Sequence, residues 1–130
     1  SRPAMIVYCG GDFVAEENAS ISIDDRGFLF SDAVFETALL YRGGFFRLRQ
    51  HLERFAESAR TMRIAAPTVV DVDRIVRAVV RRNNLHDANI RVTLTRGVTS
   101  PLLLVTARAA DPARPRSRAA RTPPSLRARP

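Results

Sequence analysis

Every one of the 21 basic side chains in this 130-residue chain is an arginine, and there is no lysine. That choice limits the chemistry on offer. A guanidinium keeps its charge and presents a planar fork of donors, which matches carboxylates and phosphates. It does not supply the primary amine that a Schiff base with a carbonyl cofactor requires. A single cysteine, Cys9, excludes an internal disulfide and a cysteine-based metal site, and it suits a reducing cytosol. The polar residues that invite a closer look are Glu36, His51, Arg54, Arg91 and Arg96. Each has an ordinary reading. Arg54, three residues after His51, is a solvated arginine in the first turns of a helix. His51 is a helix-surface or packing residue rather than a base. Glu36 is a strand carboxylate with a structural partner. Arg91 is an exposed strand arginine, and Arg96 pairs with a carboxylate or carbonyls near a turn. Phe30 and Phe35 are core aromatics.

The elements that must position these residues follow from period and punctuation. Met5 to Val14 predicts two short strands about Gly10-Gly11, a two-residue hairpin turn. Ala19 to Ile23 alternates apolar and polar residues and predicts a strand, followed by a turn over Asp24-Asp25-Arg26-Gly27. Val34 to Tyr41 and Phe45 to Leu48 form a second hairpin about Gly43-Gly44. From Arg49 to Met62 the chain is helical, with Leu52, Phe55, Ala56 and Ala59 on one stripe. Pro67-Thr68 opens a second helix, in which Thr68 and Asp71 make a cap. Its buried face is Val72, Ile75, Val76, Val79 and Val80, and Asn83-Asn84 ends it. Ile90, Val92 and Leu94 then alternate with Arg91, Thr93 and Thr95, a strand with one wet face, and Leu102 to Thr106 is a more buried strand. Strands, two helices, then strands again predict an α+β domain: a small antiparallel or mixed sheet with two packed helices.

The net charge of +8 is unevenly spread. Residues 108–130 carry seven Arg against one Asp, whereas residues 1–107 are nearly balanced. Eighteen of those last 23 residues are Arg, Ala or Pro, too few apolar groups to offset chain entropy, so the expectation is a domain over 1–107 and a disordered basic tail over 108–130. Seven arginines permit non-specific contacts to nucleic-acid phosphates. Yet no aromatic is interleaved and no nucleic-acid fold signature is present, so nucleic acid is not the expected partner. No apolar run approaches the roughly 18 residues of a membrane helix, so a membrane is not expected either.

Four ordered motifs carry a resemblance. Asp25-Arg-Gly-Phe-Leu-Phe-Ser-Asp-Ala-Val-Phe-Glu-Thr37, Tyr41-Arg-Gly-Gly-Phe-Phe-Arg-Leu48, His51-Leu-Glu-Arg-Phe-Ala-Glu-Ser-Ala59 and Thr95-Arg-Gly97 resemble the small N-terminal domain of class IV pyridoxal-phosphate aminotransferases, of branched-chain or D-amino-acid type. The likeness covers nearly all of residues 6–107 and none of the tail. It implies that Arg54 grips the phosphate of pyridoxal 5′-phosphate. It implies that Phe30 and Phe35 line the substrate pocket, and that Arg91 meets the distal carboxylate of a dicarboxylic co-substrate. Where D-amino-acid members have tyrosine, Phe35 has no hydroxyl, which favours an apolar substrate side chain. The expected activity is amino-group transfer between such an amino acid and a 2-oxo acid, by a cytoplasmic homodimer. An aminodeoxychorismate lyase of the same family is the alternative, compatible with Phe35-Glu36-Thr37 and a short loop after Gly97.

The chain also departs from that pattern. Ser31 and Ala33 stand where glycines are usual, a cost of about 1 kcal/mol or more if either site needs positive φ. Val98 to Leu103 lacks the arginine and histidine that D-amino-acid members use for the substrate carboxylate. The family's Schiff-base lysine lies beyond the small domain, so no catalytic lysine is expected in this chain, and cofactor binding by the chain alone is not expected to be firm. The Arg-Ala-Pro text after residue 107 is what a shifted reading frame in GC-rich DNA yields, and a frameshifted or truncated gene is the expected origin.

Overall fold

The computed structural model describes residues 5–110. Six antiparallel strands form one sheet in the order β2-β1-β6-β5-β3-β4. Their ranges are β1 Ile6–Cys9, β2 Asp12–Ala15, β3 Ala33–Tyr41, β4 Gly44–Phe46, β5 Ala88–Thr95 and β6 Leu102–Ala109. Three α-helices accompany them: a single-turn α1, Arg26–Phe30, and the two predicted helices, α2 Leu48–Met62 and α3 Val69–Arg82. The α+β expectation holds, with the sheet antiparallel throughout.

The period-2 pattern sorts the sheet into two faces. Val34, Ala38 and Leu40 of β3 and Ile90, Val92 and Leu94 of β5 point to the helices and are buried. They meet Leu52, Phe55 and Ala59 of α2 and Val72, Val76 and Val79 of α3 in one core. The predicted stripes were right at these positions, while Ala56, Ile75 and Val80 lie at the rim, only half-buried. On the opposite face Phe35, Thr37 and Arg91 are exposed. The register pairs Phe35 with Thr93 and Thr37 with Arg91, so these residues share that open face. No helix among the described residues is long and apolar enough to cross a membrane.

Caps set the helix boundaries. Thr68 Oγ1 accepts from the Asp71 amide at 3.1 Å, as predicted. Asn83 closes α3 and also clasps β1: the Ile6 amide donates to its Oδ1 at 2.6 Å, and its Nδ2 donates to the Ile6 carbonyl at 2.8 Å.

Four expectations change. Residues 19–23 form no strand, and Ile21 and Ile23 are exposed. Ser22 turns the chain instead: its hydroxyl accepts from the Asp24 amide at 3.0 Å and its carbonyl from the Asp25 amide at 3.0 Å. The stretch read as a turn at Asp25 is the cap and start of α1. The second hairpin turns at Arg42-Gly43, since Gly44 already pairs with Tyr41 in β4. Strand β6 runs through Ala109, where Asn89 faces Arg108. The remainder of the segment read as a disordered tail, residues 111–130, lies outside the described residues.

Candidate functional site

Two of the four motifs turn out to be halves of one lock. Asp25, 2% exposed, caps α1 by accepting from the amides of Gly27 at 2.7 Å and Phe28 at 3.2 Å. Its other oxygen accepts from the Thr95 hydroxyl at 2.7 Å, and that hydroxyl accepts from the Gly97 amide at 3.0 Å. The Arg26 amide donates to the Gly97 carbonyl, and the Arg96 amide to the Asp32 carbonyl, both at 3.0 Å. Both motif glycines are required by contact. A Cβ on Gly27 would lie 2.7 Å from the Thr95 side chain, and one on Gly97, at φ +74°, 1.8 Å from the Ser100 carbonyl oxygen. This lock carries α1, and with it Phe30, on the end of β5.

Arg96 extends the lock to α2. Its Nε donates to Asp32, and its Nη1 and Nη2 donate to the Arg63 and Met62 carbonyls at 3.1 and 2.7 Å. The structural role expected for Arg96 is the one observed. The hydrogen bond from Arg96 holds the Asp32 carboxyl below the usual carboxylate range, with Arg26 assisting, and raises Arg96 in turn.

The polar cluster at the other end of α2 joins three residues that read separately in the sequence. Glu36, nearly buried on β3, receives Arg54 Nε at 3.1 and 3.2 Å and Arg54 Nη2 at closer range. His51 Nδ1 lies 2.7 Å from the same carboxylate, so Nδ1 carries the proton it donates. Burial pushes the Glu36 carboxyl up, but the hydrogen bonds from Arg54 and His51 outweigh burial and hold it low; the same pairing raises Arg54. The Arg54 side chain is nevertheless 68% exposed. With Phe46, Arg47, Gln50 and His51 it lines a cavity of about 270 Å³ beside the β4 edge. Two guanidinium groups and a carboxamide around one open cavity suit an anion.

The other candidates fall elsewhere. Phe35, 56% exposed, stands on the open face with the Arg91 guanidinium 4.1 Å from its ring centroid. Phe30 projects from α1, largely exposed, with the Arg26 guanidinium 5.3 Å from its ring centroid. Neither phenylalanine is a core residue. Phe35 and Arg91 are therefore brought together, while Arg54 engages Glu36 from the helix side and Phe30 belongs to the α1 lock. Asp25 and Thr95 both sit in recognisable motifs, but the bond between them spans 70 residues and has no local signal.

The model of the amino-transferase class IV family matches residues 33–130, so the match extends over the segment after residue 107 that the four motifs left uncovered. A putative branched-chain-amino-acid aminotransferase of Methanocaldococcus jannaschii is 41% identical over 95 residues, 72% of this chain and 33% of that protein. The D-alanine aminotransferase of Staphylococcus epidermidis is 35% identical over 92 residues, 70% of this chain and 33% of that protein. The solved branched-chain amino acid aminotransferase from Escherichia coli shares the fold with a TM-score of 0.77 at 25% identity, covering 83% of this chain and 42% of that one. The chain thus spans about a third of the length of the curated relatives it matches. The family match takes in β3, the Glu36–Arg54 cluster and the Thr95-Arg-Gly turn, and on that footing this chain belongs to the class IV aminotransferase family.

Proposed function

We propose that this chain forms the cofactor-phosphate grip and one wall of the substrate pocket of a pyridoxal-phosphate aminotransferase that moves an amino group from an apolar amino acid to a 2-oxo acid. The observation that carries this reading is Arg54: an exposed guanidinium, tied along one edge to Glu36, at an open cavity with Arg47 and Gln50. That donor set fits a phosphoryl group. Pyridoxal phosphate, when bound, supplies the electron sink for amino-group transfer. Arg54 holds its phosphate, Phe35 offers an apolar surface to the substrate side chain, and Arg91 offers a charge to a distal carboxylate. Phe30 lines the pocket from α1. The amine that binds the cofactor aldehyde comes from outside these 130 residues, which contain no lysine. Exposed Phe28, Leu29 and Phe30 support a homodimer in which α1 is covered, and the lone Cys9 suits a cytoplasmic setting.

The test is a chimera in which residues 5–109 replace the matching third of the Methanocaldococcus jannaschii relative. It is expected to load pyridoxal phosphate and to transfer the amino group of leucine to 2-oxoglutarate. A folded chimera that loads cofactor but only releases pyruvate from aminodeoxychorismate, with no amino acceptor, replaces this reading with the lyase. A folded chimera that loads none contradicts both.

A further inference from the structure

Glu36 has no part in the proposed chemistry, yet it is the centre of the α2 cluster. It is an acidic group beside a site meant for an anion, and that calls for a physical reason. The geometry supplies one. Arg54 spends Nε and one side of Nη2 on the carboxylate. A guanidinium is planar, so fixing those two nitrogens also fixes the direction of Nη1. The carboxylate is itself held by His51 Nδ1 at 2.7 Å and is nearly buried, so it is a rigid reference point on β3. The charged groups that contact it are Arg54 and His51, both on α2, while Arg47, which caps that helix, lines the cavity.

We infer that Glu36, braced by His51, is a positioning residue that aims the free edge of Arg54 into the cavity to receive a phosphoryl group; this rests on the phosphate reading of Arg54. Two effects of the carboxylate oppose each other. It repels a phosphate dianion, and it removes the rotamer freedom of the arginine. Arg54 is largely in water, where repulsion between charges is screened. An untethered arginine, by contrast, has among the largest side-chain entropies to lose on binding. Positioning outweighs repulsion.

The sign of one substitution decides between these effects. In the full 130-residue chain, pyridoxamine 5′-phosphate and pyridoxamine are titrated in parallel by nitrogen-15 NMR. The Arg54 Nε–H resonance is identified by its loss in Arg54→Lys. The wild type is expected to prefer the phosphorylated compound and to show a protected Nε–H. Glu36→Gln is expected to lose that protection and reduce the phosphate preference about tenfold, the scale of one charge-assisted hydrogen bond. Glu36→Asp, which restores the charge, recovers part of both. A Glu36→Gln chain that is folded by its amide dispersion and keeps or increases the preference overturns the inference while leaving the phosphate reading intact. A wild type with no preference for the phosphorylated compound overturns both.

Discussion

At the scale of single residues, the backbone explains several choices of side chain. Ser31 ends α1 at φ 58°, ψ 28°, in the left-handed region, where the family pattern has glycine. Ala33 is already in β3 and has no such demand. Of the two departures read from the sequence, only Ser31 is therefore strained. Ser31→Gly is expected to raise unfolding stability by about 1 kcal/mol, read as a higher urea midpoint with unchanged slope; no gain would mean that the serine is unstrained. The glycines of Asp25-Arg-Gly27 and Thr95-Arg-Gly97 were legible as motif positions. The cause at Gly97 is local, a left-handed turn that brings the Ser100 carbonyl against it; that at Gly27 was not legible, because it lies in contact with Thr95, about 70 residues on. The same limit applies to Glu36: that it had a structural partner was legible, but that the partner was Arg54, 18 residues on, was not.

Helix α2 is the element on which these residues converge. Glu36 holds it near its start through His51 and Arg54, and Asp32 holds its end through Arg96 and the last carbonyls. Both carboxyls are held low in the folded state, Asp32 by Arg96 and Glu36 by Arg54 and His51 against its burial. A lowered folded pKa stabilises fully above the unfolded value and ceases to do so as pH falls through the folded value. Stability is therefore expected to decline below about pH 4, the ordinary carboxylate range, and an Asp32→Asn, Glu36→Gln double variant should show a flatter acid limb. An unaltered limb would show that neither pair fastens α2. The helices themselves were legible because their apolar stripes and the Thr68 cap are local. The strand expected over residues 19–23 failed for an equally local reason: Ser22 captures two backbone amides and bends the chain into α1.

Taken whole, the molecule has one face of its sheet under α2 and α3, while the other displays Phe35 and Arg91. Arg54 reaches the cavity from the helix side at the β4 edge, so the proposed phosphate grip and the proposed pocket wall belong to different faces joined through adjacent residues of β3, Phe35 and Glu36. The fold class and the motif order were legible in the sequence. The two-faced arrangement depends on register, which only the structure gives. The central claim is that Arg54 recognises the cofactor by its phosphate. It is tested most directly by the affinity of the chimera for pyridoxal phosphate and for pyridoxal, with and without Arg54→Ala. The substitution should weaken pyridoxal phosphate at least about tenfold and leave pyridoxal nearly unchanged. Equal losses for the two compounds, or no loss for either, would contradict it.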